Sequence, residues 1–338
     1  MKICFVLDRP ELGGGVKVVF QLAGILHGLG HEVVVLGRGA RPSWSERWLS
    51  GGYRDTDTEA EPDSCGEFDV VIGTYFTTME RAMAIGARHT VHLCQGFEGD
   101  LEHLAVQRQK IDAAYALPVP IITVNPALGR RLAAMFGKRW YFVPPPIDDI
   151  FRPQIRWRPH RRPLISVPGV FEAPVKGVRQ CIEAIGLLRS GGWEVETFRF
   201  STLPLCDEER ELHRPNYYFH SISPESLARE LRRCDLLLFG SLPGDGFGLP
   251  VLEAAASGVP VVGNDLPALR LIGVGTDQRV TVESATAMAG AAADLLRDHA
   301  GWRAARGKLI RRARARFGAE AVGRRLVEAL GNIMEDEM

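Results

Sequence analysis

Short apolar runs alternate with helix-like segments along most of the chain, and this alternation constrains the fold more than any other feature. Residues 3–7 (ICFVL) are typical of a buried strand, and residues 12–15 (LGGG) of a turn. Residues 16–29 form a helix with one apolar stripe, and residues 32–36 (EVVVL) form the next strand. Because such β-α-β units build parallel sheets covered by helices, the sequence predicts an α/β fold.

The alternation is interrupted once and then resumes. Residues 144–163 contain six prolines and five arginines, a composition that favours an extended linker. The strands predicted before the linker lie at 68–73, 90–94, 121–124 and 141–143, and the helices at 77–87, 100–114 and 126–136. The strands predicted after it lie at 164–169, 197–201, 217–221, 236–241 and 259–263, and the helices at 177–189, 207–213, 224–233 and 249–257.

This pattern predicts two Rossmann-like, doubly wound α/β domains that face a cleft. We expect a first domain at 1–146, a linker at 147–163 and a second domain at 164–317. Beyond residue 282 the chain is mostly helical, and a C-terminal helix at 318–338 is expected to complete the first domain.

Composition excludes several classes of protein. Lys plus Arg and Asp plus Glu both number 41, so the net charge gives no reason to expect nucleic acid as a partner. The six cysteines, at 4, 65, 94, 181, 206 and 234, are scattered and include no C-x-x-C pair, which is typical of reduced thiols. The first apolar run is too short for a signal peptide and no run reaches the length of a membrane span, so we expect a soluble, cytoplasmic protein.

The glycine turn at 13–15 does not make a dinucleotide fingerprint. A G-x-G-x-x-G motif that began at Gly13 would need glycine at 18, where the chain has Val18. A nicotinamide dehydrogenase is therefore not expected. The amides of Gly14 and Gly15 open a helix, so they either meet a phosphate or sugar or simply form a tight turn.

Patterns for metal sites and hydrolases are also missing. Asp55-Thr56-Asp57 lies in a polar run, which favours a solvated loop over a metal-binding D-x-D. The nine histidines include no H-x-x-x-H and no Cys/His ligand cluster, so we predict no metal. The sequence has no G-x-S-x-G elbow and no G-x-x-x-x-G-K-[ST] loop.

The stretch 242–262 (LPGDGFGLPVLEAAASGVPVV) carries the strongest local signal. Its glycines can bring the backbone close to a ligand, and the helix that begins near Leu249 turns its free N–H groups toward the loop. Such a loop suits an anion or a hydroxylated ligand. The alternative is a plain strand-to-helix turn in which Asp245 caps the helix and Glu253 lies on its surface.

A second informative turn carries Lys176 and Gly177 ahead of a helix. Because a lysine at a helix N-terminus opposes the helix dipole, it gains from an anionic partner such as a phosphate. The alternative is a long, solvated side chain.

Together these residues resemble glycosyltransferase family 4, retaining enzymes of the GT-B fold that use nucleotide sugars. The resemblance rests on the glycine turn, VPPPIDDIFRP, the Lys-Gly pair at 176–177 and above all D-G-F-G-L-P-V-L-E followed by A-x-x-x-G-V-P-V-V. It implies that the second domain binds the nucleotide sugar and the first binds the acceptor. Carried over by position, the donor-binding residues are Gly14, Gly15, Lys176, Asp245, Gly246, Phe247, Gly248, Leu249 and Glu253.

Within the E-x7-E motif of the family, the first acid meets hydroxyls of the donor sugar and the second holds the ribose hydroxyls. Asp245 and Glu253 match these positions, and a carboxylate that accepts two vicinal hydroxyl donors is a strong, directional clamp. Lys176 is expected to stabilise the leaving diphosphate. Asp245 is one methylene shorter than the glutamate of the family, which points to a different position or kind of sugar.

Two further positions depart from the family. The arginine that usually reaches the diphosphate after the first strand of the second domain is Val170 here, and Arg179 is a weaker candidate for its role. Alignment by the following glycine puts Gln95 where the family has a cleft histidine, while His92 lies within a predicted strand. The resemblance makes Lys176, Asp245, Gln95 and His92 the catalytic candidates. The run from Cys94 to Glu98 is similar to some rhamnose-transferring members.

The implied function is metal-independent transfer of a sugar from a nucleotide-diphosphate sugar to a hydroxyl acceptor, with no cofactor beyond the donor. A non-catalytic nucleotide-sugar-binding protein and a GT-B nucleotide-sugar epimerase are the alternatives. The basic segment 302–317 either contacts an anionic membrane at the inner face or is a solvated helix.

Overall fold

A computed structural model describes residues 1–11, 13–58, 68–274 and 284–335 of the chain. The chain divides into two compact units. Unit 1 comprises Met1–Pro146 with Ala319–Met338, and unit 2 comprises Ile147–Gly318. The Pro/Arg-rich segment expected as a linker therefore clusters with unit 2, where Phe151 is fully buried and the Ile147 amide donates to the Phe317 carbonyl at 2.7 Å.

Unit 1 is built on a parallel sheet with helices after its strands. The strands are β1 (Lys2–Val6), β2 (Glu32–Gly37), β3 (Tyr53–Asp55), β4 (Val70–Gly73), β5 (His89–Cys94), β6 (Ile121–Thr123) and β7 (Trp140–Phe142). The helices are α1 (Gly14–Gly28), α2 (Met79–Ile85), α3 (Arg108–Ala116), α4 (Pro126–Phe136) and, from the end of the chain, α12 (Ala319–Glu335). Within the described residues the strand order is β3-β2-β1-β4-β5-β6-β7.

Unit 2 repeats this plan with fewer strands. Its strands are β8 (Leu164–Pro168), β9 (Glu196–Ser201), β10 (Tyr217–His220), β11 (Leu236–Phe239) and β12 (Val261–Gly263), in the order β10-β9-β8-β11-β12. Its helices are α5 (Val178–Ser190), α6 (Asp207–Leu212), α7 (Pro224–Leu231), α8 (Leu249–Ala256), α9 (Pro267–Ile272), α10 (Ala285–Arg297) and α11 (His299–Phe317).

Local chemistry explains where several helices begin. The Asn125 side chain accepts a hydrogen bond from the Leu128 amide at 3.0 Å, and Pro126 occupies the first turn of α4. Ser284 caps α10 in the same way through the Ala287 amide. These caps satisfy amides that a helix leaves without an internal partner.

The core of unit 2 lies between its sheet and the helices α5 and α10. Ile165, Val167 and Leu238 come from the strands, and Ile185 and Ala292 come from the helices. These side chains are almost completely buried, so their removal from water stabilises the fold by roughly 1.5–3 kcal/mol for each large aliphatic residue.

The loop predicted at Asp55-Thr56-Asp57 begins one residue later than expected, because Thr56 and Asp57 lie in a turn whereas Asp55 ends a strand. Tyr53–Asp55 forms β3, which pairs with β2 at the sheet edge. The Asp55 carboxylate accepts hydrogen bonds from the amides of Gly39 and Asp57, at 2.8 and 3.0 Å. Pairing with β2 makes this short segment a strand, and the local polarity of the sequence does not show that pairing. The sequence around Cys65 lies outside the described residues.

Helices long and apolar enough to span a bilayer are not found in the part of the chain that the structure describes.

Candidate functional site

The topology of unit 2 selects one place for a ligand. From β8 the chain adds β9 and β10 on one side of β8, and it then adds β11 and β12 on the other side. The direction in which strands are added therefore reverses between β8 and β11. Ligands of open parallel sheets bind beyond the carboxyl ends of the strands at such a switch point. The loops that follow β8 and β11 are those that carry Lys176 and Asp245.

These two loops are bonded to each other. The Leu242 amide donates to the Val175 carbonyl at 2.8 Å. Gly177 adopts the left-handed region at φ +57°, and a Cβ there would lie 1.9 Å from the Gly240 carbonyl oxygen. Only glycine fits a position with both constraints, so the sequence Lys-Gly fixes the loop of Lys176 against the end of β11.

Asn264, directly after β12, fixes the same strand end from the other side. Its side-chain amide donates to the carbonyls of Gly240 and Ser241, at 2.7 and 3.1 Å. The amides of Asn264 and Gln180 on α5 also exchange hydrogen bonds at 3.2 Å. Asn264 and Gln180 were not among the predicted site residues. A polar residue immediately after a buried parallel strand nevertheless indicates a position at the ligand-binding edge of the sheet.

Lys176 and Asp245 form an ion pair. The Lys176 Nζ atom donates to Asp245 Oδ1 at 2.6 Å, and the amide of Gly246 donates to the same oxygen at 2.9 Å. The Asp245 side chain is largely buried, whereas that of Lys176 is partly exposed. The two candidate residues therefore neutralise one another.

The rest of the glycine-rich motif builds the start of α8. Gly248 precedes the helix at φ +81°, and Leu249 and Pro250 form its first turn. Phe247 is buried, and its ring packs edge-to-face against Phe317 at 5.6 Å between centroids. The Phe247 side chain therefore holds the loop in place, and only the backbone of this position is available to a ligand.

Glu253 lies one turn into α8 and is mostly buried. Its position eight residues after Asp245 places the two carboxylates on one loop-and-helix element.

Arginines near this site are committed to other partners. Arg179 forms an exposed ion pair with Glu208 and lies over the Phe171 ring, with its guanidinium carbon 5.1 Å from the centroid. Arg199 is buried and bonds to Glu209 at 2.7 Å. Of Lys176, Arg179 and Arg199, only Lys176 has its carboxylate partner in the glycine-rich loop.

In unit 1 the structure brings Gln95 to the glycine turn. Gly13 is the N-cap of α1, and Gly14 and Gly15 are its first residues. The Gln95 Nε2 atom donates to the Gly15 carbonyl at 3.0 Å. The loops after β1 and β5 are thereby joined at the carboxyl edge of the first sheet, and the predicted residues Gln95 and Gly15 are in contact.

His92 does not share this position. It lies inside β5 with 1% of its surface exposed, and its ring centroid is 4.7 Å from that of Tyr115. Burial lowers the pKa of His92 to about 3, so the ring is neutral at physiological pH. A neutral, enclosed imidazole cannot exchange protons with a substrate, and the structure gives His92 a core position.

A buried polar cluster lies beneath the loop of Gln95. The Tyr115 hydroxyl donates to Glu98 Oε2 at 2.6 Å and lies 3.0 Å from Cys94 Sγ. Burial raises the pKa of Glu98. In the sequence, Glu98 stood out only as part of the run that resembles rhamnose-transferring members. In the structure, Glu98 helps to support the loop of Gln95.

Metal-ligand clusters of three or more His, Cys, Asp or Glu side chains are not found in the described ranges, which exclude 59–67 and 275–283.

Comparison with known families identifies the element that carries this site. Residues 162–298 match the family model described as "Glycosyl transferases group 1". This segment contains Lys176, Asp245 and Glu253. Residues 162–298 are thus similar to this family, and this segment is called the group 1 domain below, after the family model that it matches.

Curated relatives of the group 1 domain are mannosyltransferases. Serotype-specific mannosyltransferase WbdA of Escherichia coli is 36% identical over 84 residues, which is 24% of this chain and 9% of WbdA. A phosphatidyl-myo-inositol mannosyltransferase of Mycobacterium leprae (strain TN) is 26% identical over 130 residues, which is 36% of this chain and 33% of that protein. The matched region is thus a small part of the length of each relative.

Solved structures extend the similarity from the group 1 domain to the whole chain. Sucrose-phosphate synthase from Thermosynechococcus elongatus has a TM-score of 0.78 at 15% identity, covering 99% of this chain and 100% of that one. Anabaena HepE in complex with UDP-glucose also has a TM-score of 0.78, at 14% identity, covering 98% of this chain and 100% of that one. The predicted α/β fold of two Rossmann-like units, GT-B, is confirmed.

Proposed function

We propose that the chain is a retaining glycosyltransferase that moves a sugar from a nucleotide-diphosphate sugar to a hydroxyl acceptor without a metal ion. The observation that carries the proposal is the Lys176–Asp245 pair at the switch point of the group 1 domain. A cation and a hydroxyl-binding acid in contact match a ligand that joins a diphosphate to a sugar.

In this proposal the diphosphate replaces Asp245 as the partner of Lys176. The released Asp245 carboxylate accepts hydrogen bonds from sugar hydroxyls, and Glu253 accepts them from the ribose. The backbone amides at Gly246, Gly248 and the start of α8 contribute further donors to the anion.

During transfer, the bond between the anomeric carbon and the diphosphate oxygen breaks. That oxygen then takes the proton of the acceptor hydroxyl as the acceptor oxygen bonds to the same face of the sugar. Lys176 is placed to stabilise the negative charge that grows on the leaving oxygen, which is where electrostatic catalysis is strongest. The amides of Gly14 and Gly15 in unit 1 are proposed to contact the donor, Gln95 beside them remains a catalytic candidate, and unit 1 as a whole is proposed to bind the acceptor.

HepE has been solved with UDP-glucose, and WbdA is a mannosyltransferase, so the similarity supports a nucleotide-sugar donor without choosing the base or the sugar. The first experiment is a thermal-shift series with UDP, GDP, dTDP and ADP. A nucleotide at 100 times its Kd stabilises by about 2.7 kcal/mol, so one of the four should raise the melting temperature. The absence of a shift with all four would contradict the proposed donor class.

The second experiment follows nucleotide release from the matching nucleotide sugar, with and without hydroxylated acceptors and with EDTA. We expect acceptor-dependent release that survives EDTA. Release that strictly requires Mg²⁺ or Mn²⁺ would contradict the metal-free mechanism. Binding without turnover across a broad acceptor panel would instead assign a binding protein.

A further inference from the structure

The basic segment 302–317 proves to be an internal component of unit 2. It forms α11, and several of its arginines bond to the unit itself. Arg306 donates to the Gln154 carbonyl at 2.6 Å, and Arg314 donates to Asp149 Oδ1 at 2.9 Å. Arg306 and Arg314 are therefore committed to the packing of α11 against an arginine-rich segment of the same unit.

That segment is 152–162 (RPQIRWRPHRR), which contains five arginines and no acid. We define the arginine–tryptophan patch as seven exposed side chains, six from this segment and one from α11: Arg152, Ile155, Trp157, Arg158, Arg161, Arg162 and Arg303. Among the described residues, Arg158 and Arg161 have no carboxylate partner. The patch therefore presents uncompensated positive charge.

The patch is held rigidly. Arg156 points inward and forms an ion pair with Asp235, which is completely buried. The Asp235 carboxylate also accepts hydrogen bonds from the backbone amides of His160 and Leu164, at 3.1 and 2.8 Å. The buried Asp235 carboxylate thus holds Arg156, His160 and Leu164 in place. The outward side chains of segment 152–162 therefore extend from an ordered backbone.

The patch also exposes apolar side chains. Trp157 is 70% exposed and Ile155 is 85% exposed. The Arg303 guanidinium carbon lies 5.9 Å from the centroid of the Trp157 ring, so the exposed indole lies beside a cation. Large apolar side chains displayed together on an ordered surface are typical of an interaction site.

A cavity of about 780 Å³ opens beside the patch, and its lining includes Arg161, Arg162 and Arg233 together with Glu194, which pairs with Arg162, and Glu196. It lies near the amino ends of β8 and β11, because Arg156 bonds to the Arg233 and Cys234 carbonyls just before β11 begins. The donor loops follow the opposite, carboxyl ends of the same strands. The patch is thus separate from the proposed donor site.

We propose that the arginine–tryptophan patch binds the surface of an anionic lipid bilayer. Arginines attract phosphate headgroups, tryptophan rings are enriched at the level of the headgroups, and Ile155 supplies an aliphatic side chain for insertion. A surface with both free cations and an exposed aliphatic residue fits a bilayer better than it fits a folded acidic partner. This proposal does not depend on sugar transfer.

The test is sedimentation of the full chain with phosphatidylcholine vesicles that contain either no anionic lipid or 30% phosphatidylglycerol, at low and high salt. Wild type should sediment with the anionic vesicles at low salt only. The Arg158→Glu/Arg161→Glu variant should bind at least about 30-fold more weakly, because each lost basic residue contributed about 1 kcal/mol and the new carboxylates are repelled by the anionic surface. Ile155→Ser/Trp157→Ser should weaken binding by roughly tenfold through lost apolar contact.

Matched controls lie in unit 1. Arg130→Glu/Arg324→Glu makes the same change in net charge at two exposed arginines, and Val106→Ser alters a residue that is 94% exposed. Both should bind vesicles like wild type, and thermal melting should show that all variants are folded. Absence of wild-type binding, equal losses in the controls, unchanged binding by both patch variants, or tighter binding to a single-stranded oligonucleotide would overturn the proposal.

Discussion

Asp245 differs from the acid expected at its position by one methylene group, and in this chain its carboxylate lies against Lys176. The two opposite charges of this pair neutralise one another. In the proposed mechanism, the free nucleotide has to compete with Asp245 for the lysine, while only the intact donor offers sugar hydroxyls to the acid.

This competition predicts opposite effects for the two acids of the motif. Asp245→Asn should leave the affinity for the free nucleoside diphosphate unchanged or tighter, because Lys176 is released. It should reduce kcat by about 10- to 100-fold, as expected for a lost hydrogen bond to a charged group. Glu253→Gln should weaken both the nucleotide and the donor. Titration calorimetry and turnover measurements separate these outcomes, and an equal loss of nucleotide affinity in both variants would refute the division of roles.

His92 predicts a pH dependence of stability. Its folded pKa of about 3 lies below the ordinary value of 6.5, so between these values the unfolded chain binds a proton that the folded chain does not. Stability should therefore fall as pH falls through this window, by about 2 kcal/mol at pH 5 from this residue. Urea denaturation of His92→Leu should show a shallower loss between pH 6.5 and pH 5. An unchanged pH profile would show that His92 is accessible to protons in the folded protein.

At the scale of elements, the helices whose ends are set by nearby proline and glycine residues could be predicted from the sequence. The helix predicted to start near Leu249 begins there, and the helix predicted at 126–136 is α4 (Pro126–Phe136). Proline in the first turn and glycine at the preceding or following turn set these boundaries. Lys176 and Asp245 could be paired in advance only through a family resemblance, since their loops meet across adjacent strands.

Other elements depend on distant partners. Asn264 bonds to carbonyls 24 and 23 residues earlier in the chain, and the local sequence does not show which carbonyls these are. The helix predicted at 100–114 is instead a 3-10 segment, Glu102–Gln107, followed by α3 (Arg108–Ala116). Apolar spacing over two turns does not distinguish these two kinds of helix.

The turn between β10 and α7 predicts a stabilising substitution. Ser221 adopts φ +50°, a left-handed conformation that costs a non-glycine residue about 1–2 kcal/mol. Ser221→Gly removes this strain but adds freedom to the unfolded chain, so we expect a net gain of about 0.5 kcal/mol. Two residues later, Ser223 caps α7, and Ser223→Ala should lose about 1 kcal/mol. Denaturation curves should move in opposite directions, and a destabilised Ser221→Gly would contradict this account.

At the scale of the whole molecule, the two units differ in how the chain assembles them. Unit 2 is one continuous segment, whereas unit 1 needs α12 from the far end of the chain. Within unit 1, α12 packs on α1, where Gly323 lies so close to Ile25 that a Cβ would be 2.7 Å from its side chain. Arg325 of α12 also lies over the Phe142 ring.

This difference predicts unequal behaviour of fragments. Residues 147–318 expressed alone should unfold cooperatively and should bind the nucleotide that stabilises the full chain. Residues 1–146 should be much less stable, because the apolar face that α12 covers is left in water. Joining 319–338 to residue 146 through a flexible linker should restore a cooperative transition in circular dichroism. A fully stable 1–146 fragment would show that α12 is dispensable.

The divided construction of unit 1 also fixes an order of events during synthesis. A ribosome adds about 5–20 residues per second, so roughly 10–30 s pass between completion of β7 and the first residue of α12. Through that interval the face of α1 that α12 covers stays exposed, while the residues of unit 2 are being synthesised. Unit 1 is therefore the first unit to leave the ribosome and the last to be completed. During synthesis, the exposed apolar surface that can associate wrongly lies in the N-terminal part of the nascent chain.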